Sequence, residues 1–320
     1  MAEWIYEAGI GENRAALIED GAIVEIAIES EFVGLRAGAI VAARLRADRI
    51  IDCEGGEQAL IDSVPRGMSE GAALFALIMR EALPEPGKPK RAKARHVPGA
   101  SAPRPAPALI ERIGAAIELL PHAPDALEAA GWSEMIEQAA SGHIAFAGGA
   151  LQISLTPAMT LIDVDGNLEP VALGIAGAAA AARAIRAFDI AGSIGVDFPT
   201  TNSKAERAAI ADAFDAILPP PFERTAVNGF GFMQIIRPRQ RASLCERLAA
   251  DPVGHAARAL IRRAERSGVI GNAVIVAPPH VEAHLGAHPE WLMALGRRLG
   301  GTISLRVDPR LAISGGYVDG

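Results

Sequence analysis

The sequence predicts a mixed α/β (α+β) protein, and three observations carry that prediction. Short apolar runs bounded by glycine, aspartate and proline recur through residues 1–83 with the spacing of half-buried strands. An alanine-rich helical segment, Val171–Ala187, lies between two strand-like runs that each carry an aspartate, Asp163 and Asp197. The region after residue 251 alternates helix-like and strand-like segments, the pattern of a small α/β unit. Half of the 320 residues are hydrophobic but only 4% are aromatic, so much of the apolar content is small and suits packed helices. A chain of this length can bury a sizeable core and divide into two or three subdomains.

The elements follow in chain order. Ala15–Ile18 and Ala22–Ile28 flank the turn signal Glu19-Asp20-Gly21, which predicts a hairpin within residues 1–35. Ala39–Leu45, Arg49–Ile51, Gln58–Ile61 and Ala72–Arg80 are short strands at the spacing of a small barrel. Pro84–Pro107 is rich in proline and in lysine and arginine. Two readings fit it, a solvated linker or a basic arm that touches a phosphate backbone. Helices are predicted near Ala108–Leu120 and Asp125–Ala140, then strands at Leu151–Leu155 and Thr160–Val164 after Gly148-Gly149. A helix near Ser203–Leu218 is capped by Asn202 or Ser203 with Glu206 in its first turn and stops at Pro219-Pro220-Pro221. A strand near Gly229–Ile236 precedes the basic cluster Arg237, Arg239 and Arg241. Helices near Val253–Ser267 and Pro289–Leu299 and strands near Ala273–Ala277 and Thr302–Val307 complete the chain.

A formal net charge of −7 argues against a protein that coats polyanions through overall positive charge, while leaving room for a local basic groove. The only cysteines, Cys53 and Cys245, rule out a four-cysteine zinc site within one chain and are expected as one buried and one surface thiol. The start Met1-Ala2-Glu3-Trp4 lacks a basic region followed by an apolar run, and the longest apolar stretch carries Arg183 and Arg186. A cytoplasmic protein with no membrane partner is expected.

Several site motifs are missing: a phosphate-binding Walker loop, a dinucleotide fingerprint, a serine-hydrolase elbow and His-Glu-x-x-His. His280, His284 and His288 are spaced four apart, but no carboxylate or cysteine obviously joins them, and scattered surface histidines are the expected reading. The paired aspartates are the stronger signal. A carboxylate that ends an apolar strand is costly to bury alone. Two that converge suit a hard divalent ion such as magnesium, although turn and capping aspartates share this pattern. Asp165, Asn167, Thr200, Thr201 and Asn202 would surround such an ion, and Lys204, Arg207, Arg237 and Arg239 could hold phosphates beside it.

In their order, Gly148-Gly149, Ile162-Asp163-Val164-Asp165, Gly195-Val196-Asp197-Phe198, Phe230-Gly231 and Arg237-Pro238-Arg239 resemble the catalytic half of the ribonuclease E/G family. Asn13–Gly21 resembles that family's opening strands, and residues near 36–95, with Lys88 and Lys90 in the closing loop, resemble its inserted RNA-binding barrel. The resemblance implies a ribonuclease-H-like portion (1–35 and 105–143), an OB-type barrel (36–97), a linker (98–104), a DNase-I-like catalytic subdomain (144–250) and a small C-terminal α/β subdomain (251–320). It implies magnesium-dependent endonucleolytic cleavage of single-stranded RNA, in RNA processing or decay, leaving 5′-phosphate and 3′-hydroxyl ends. Asp163 and Asp197 would hold magnesium, Asp165 would tune them, and Lys204, Arg237, Arg239, Lys88 and Lys90 would contact RNA.

The chain also departs from the family pattern. Asp165 stands where the family has asparagine, and Gly229 where it commonly has arginine. Ile50 and Leu60 replace base-stacking phenylalanines of the barrel. No counterpart of the arginine–threonine pair that senses a 5′-monophosphate is found, and the zinc-binding cysteine pair is absent. Self-association is therefore expected, if at all, as a homodimer and not as a zinc-linked tetramer. These departures keep two alternatives open: an RNA-binding family member that does not cleave, and a regulatory scaffold.

Overall fold

The computed structural model describes residues 2–30, 34–84 and 89–320. They fall into two compact units, one of Met1–Glu31, Ile113–Ile136 and Leu248–Gly320, the other of Phe32–Arg112 and Glu137–Arg247. Residues 251–320, expected to form a subdomain of their own, thus share a unit with the N-terminal strands.

The chain opens with antiparallel strands β1 (Glu3–Ala8), β2 (Glu12–Glu19) and β3 (Ala22–Ser30). Asp20 and Gly21 both take positive φ, 51° and 81°, which is the two-residue turn whose twist suits antiparallel strands. The predicted hairpin forms, with a further strand ahead of it.

A closed barrel follows, made of β4 (Ile40–Leu45), β5 (Ile50–Cys53), β6 (Gln58–Ile61), β7 (Ala73–Arg80) and β8 (Ala92–His96) in the order β4-β5-β6-β8-β7. The first four lie within a few residues of their predicted spans. The fifth corrects the reading of Pro84–Pro107 as linker or arm. In β8, Ala92 and Ala94 are buried in the barrel core while Lys93 and Arg95 point to solvent. The basic composition of the segment masks this period of two. β8 runs parallel to β6 and antiparallel to β7 and so closes the barrel.

The two helices predicted next are interrupted by glycines with positive φ. α1 (Leu109–Ile113) stops at Gly114 (φ 75°), and the chain continues as β9 (Ile117–Glu118), parallel to β1. The second helix divides at Gly131 (φ 94°) into α2 (Ala126–Ala129), capped by Asp125, and α3 (Trp132–Ser141).

The second unit continues with β10 (His143–Phe146), β11 (Gly149–Leu155), β12 (Thr160–Gly166), α4 (Pro170–Ala187), β13 (Gly192–Asp197), α5 (Lys204–Asp215), β14 (Glu223–Arg224) and β15 (Phe232–Arg237). Its six-stranded sheet has the order β10-β11-β12-β13-β15-β14. Only β12 and β13 pair in parallel, and α4 is the crossover between them. The helix can approach closely because its inner face is small. A Cβ on Gly177 would collide with Val164 Cγ1, and one on Gly174 would sit 2.5 Å from Ile210 Cδ1 of α5. α4 is long and apolar enough to match a membrane span, yet its alanine face is buried against protein.

The chain ends with α6 (Leu244–Ala250), α7 (Pro252–Glu265), β16 (Ala273–Ala277), α8 (Pro279–Gly286), α9 (Pro289–Leu299), β17 (Ile303–Val307) and β18 (Tyr317–Asp319). β16 and α9 match their predicted spans. Both cysteines are buried, which corrects the expectation of one surface thiol. Burial pushes Cys53 up to about 11 and Cys245 up to about 12, so neither supplies a thiolate at neutral pH.

In the first unit the N-terminal strands meet α7 through buried ion pairs. Glu7 lies between Arg14 (3.4 Å), Arg262 (2.7 Å) and Arg266 (2.6 Å), while Glu12 pairs with Arg14 (2.9 Å) and Arg258 (3.0 Å). Asp125 accepts from Arg262 as well (2.7 Å). Burial pushes the Glu7 carboxyl up, but Arg262 and Arg14 outweigh it and hold the group below the usual range; the Arg262 hydrogen bond does the same for Asp125. A carboxylate lowered in the folded state stabilises above its unfolded pKa, and this contribution is lost as pH falls through the folded value. Glu7→Gln leaves several arginines facing a neutral group and is expected to cost about 3–5 kcal/mol at pH 7. In denaturant titrations the gap between wild type and variant should narrow on acidification below the ordinary carboxylate range.

Candidate active site

Alternation along β12 places Ile162 and Val164 in the core and turns Asp163 and Asp165 to the open face of the six-stranded sheet. β13 does the same, with Ile194 and Val196 buried and Asp197 exposed. The parallel register sets Asp163 directly beside Asp197. One row of register partners crosses the sheet: His143, Gln152, Asp163, Asp197 and Phe232. The three aspartates therefore share one face near the carboxyl ends of the parallel pair.

The acids sense one another. Burial, then the charges of Asp165 and Asp197, push the Asp163 carboxyl above its ordinary range. Such a cluster suits a hard cation, which relieves the repulsion while water and phosphate oxygens complete its shell. Among the described residues, no three side chains of His, Cys, Asp or Glu are already drawn together as a ligand set.

The turn after β13 is tightly organised. Ser203 and Glu206 form the predicted capping box of α5: Glu206 N donates to Ser203 Oγ (3.2 Å), and Ser203 N and Asn202 N donate to Glu206 Oε2 (3.0 Å each). Arg207 donates to Thr201 O, so it braces this turn. Lys204 is exposed as the first residue of α5.

The other predicted basic contacts divide. Arg237 is committed to structure, donating to Ile185 O (3.3 Å) and Ile190 O (2.8 Å) and so tying the end of α4 to the start of β13. Arg239 is paired with Glu246. It lines a cleft of about 510 Å³ together with Arg80, Lys90, Lys93, Met159 and Ser193. Lys88 lies outside the described residues. Arg80 was not singled out from sequence, whereas Lys93 belongs to the basic run of Pro84–Pro107 that was read as a linker or a phosphate-touching arm. The cleft meets the first residues of β12 and β13, so at strand rise it lies roughly 10–16 Å from the acids. Of the three histidines, His280 is exposed, and His288 stacks on Trp291 with ring centroids 4.2 Å apart.

Open α/β sheets commonly bind ligands beyond the carboxyl ends of their parallel strands, and these carboxylates stand at that end of the one parallel pair in this mixed sheet. Residues 106–240 match the model of the ribonuclease E/G family. The match suggests, at the level of the family, ribonuclease function in RNA processing. No individual curated protein is similar enough to the chain to count as a match.

In the metal-free protein, carbon-detected NMR of the aspartate carboxyls should find Asp163 titrating above the ordinary aspartate range. Asp165→Asn removes one neighbouring charge and should move the Asp163 midpoint down. An unchanged midpoint would separate the two carboxyls electrostatically.

Proposed function

We propose that the protein is a magnesium-dependent endoribonuclease that cuts single-stranded RNA in the cytoplasm and leaves 5′-phosphate and 3′-hydroxyl ends. The observation that carries this reading is the side-by-side register of Asp163 and Asp197 on an open sheet face. These two carboxylates would hold the ion, and Asp165 would set the charge around it. Bound there, magnesium supplies Lewis-acid polarisation of a phosphate and a water of lowered pKa. The open face leaves room for a strand to lie across the acids, and Lys204 stands at the end of the turn that follows Asp197. Arg80, Lys90 and Lys93 would hold the phosphate backbone farther along, where a positive groove attracts it. The barrel order, first-second-third-fifth-fourth, supports an OB-type RNA-binding module, and the β3-β2-β1-β9 order supports a ribonuclease-H-like sheet.

A second reading, RNA binding without cleavage, is favoured by the third carboxylate at Asp165, which replaces an amide donor with an acceptor. One assay separates the two. With a fluorescent single-stranded RNA and magnesium, Asp163→Asn and Asp197→Asn should each lower cleavage by more than the ~10–100-fold typical of losing an outer-shell partner, while RNA binding persists. Binding without cleavage by the wild type under any divalent ion would establish the second reading.

The basic residues allow a separate test in the salt dependence of RNA affinity. Lys93→Ala should reduce the slope of log K against log salt by about 0.7, one single-strand phosphate contact. Arg237→Ala should lower thermal stability and leave that slope unchanged, because its Nη1 is spent on two carbonyls and its Nε is buried.

A further inference from the structure

The acid face carries one phenylalanine, Phe232, and a second, Phe230, stands on the turn that leads into its strand; the proposed chemistry leaves both unused. Phe232 is the direct register partner of Asp197 and is only half-buried. Its ring lies along the same face: a Cβ built on Gly195 would fall 2.5 Å from Phe232 Cζ and 3.0 Å from Leu161 Cδ2. The missing side chain at Gly195 is what leaves room for the ring there. Phe230, two residues earlier, is 85% exposed. Its backbone is nevertheless held firmly. Asn228 Oδ1 accepts from Phe230 N (2.9 Å) and Phe232 N (3.1 Å), and Gly231 N donates to Asn228 O (3.2 Å). Phe198 N donates to Gly231 O (3.1 Å), which ties this turn to the residue after Asp197. Gly231 has φ 91°, and any side chain there would strike the Phe198 carbonyl. A phenyl ring displayed on so constrained a turn forgoes its burial energy, which calls for an occupant.

We propose that Phe230 and Phe232 form a stacking platform for an unpaired base, next to the point where Asp163 and Asp197 would receive the phosphate. The occupant is a single-stranded nucleic acid, because the acids beside the rings would draw the cation that a phosphodiester needs and a planar base matches the flat apolar floor. Ile50 and Leu60, facing each other in register on the barrel, offer no ring, so base stacking in this chain shifts to the sheet that holds the acids.

The inference rests on the nuclease reading for the identity of the ligand, and its test does not depend on cleavage. Short single-stranded RNA is titrated onto the 320-residue protein at low salt with calcium in place of magnesium, beside the same RNA with one abasic position scanned along it. Wild type should lose roughly 5- to 150-fold in affinity when the abasic position falls on the platform, the range of base–aromatic stacking. Phe230→Ala, at an exposed site that does not support the fold, and Phe230→Ala with Phe232→Leu should erase most of that loss. An abasic penalty that survives in both variants overturns the platform, even in a protein that cleaves. A penalty that disappears in the variants of a protein that never cleaves upholds the platform and ends the hydrolysis reading. No affinity of the wild type for any single strand overturns both.

Discussion

The site depends on how closely α4 lies against the sheet. A parallel strand pair needs a crossover, and the crossover must pack on one face to hold the strands in register. Here Gly177 against Val164 and Gly174 against Ile210 leave almost no space between helix and sheet. The packing falls on the back face, so the front stays open. Three carboxylates on that front repel one another, and repulsion of this kind would splay a loosely held strand. The tightly packed rear layer holds the acids in place without contributing a side chain to them. Arg237 strengthens the same joint by gathering the carbonyls of Ile185 and Ile190.

Charge is sorted along the strands as well as across the sheet. The carboxyl end of the parallel pair is acidic, and the amino end borders a cleft with Arg80, Lys90 and Lys93. A protein of net negative charge thereby presents a short cationic run that ends in an acidic cluster. Under the proposed function, a polyanion following that run would reach the acids only together with a counter-ion, which would link backbone recognition to metal along the sheet.

Much of this was legible in the sequence. Asp163 and Asp197 stood out because each follows buried β-branched residues in a short apolar run, and strand alternation then dictates the shared face. β16 and α9 were legible because their patterns are strong and their ends are marked by proline or glycine. The failures share a physical cause. β8 was hidden because its inward residues are alanines and its outward ones lysine and arginine, so composition suggested a solvated arm while the alternation said strand. The helices near residues 108–140 were overextended because Gly114 and Gly131 take positive φ, which a helical pattern does not reveal. The carbonyls that Arg237 meets and the carboxylate beside Arg239 were likewise unforeseen, since a basic cluster carries no sign of its partners. The joining of the N-terminal strands with residues 248–320 has no local signature, since it rests on ion pairs between residues about 250 positions apart.

That last feature bears on how the protein is made. Glu7 and Glu12 leave the ribosome while Arg258, Arg262 and Arg266 are still untranslated. At a synthesis rate of roughly 5–20 residues per second, the two glutamates wait on the order of 10–50 s for these arginines. Over that interval the first hairpin must stay soluble with no cations from α7, and its two acids keep it hydrated and discourage contact with other nascent chains. The charges that later lock the unit together would thus first act to keep its opening strands apart from everything else.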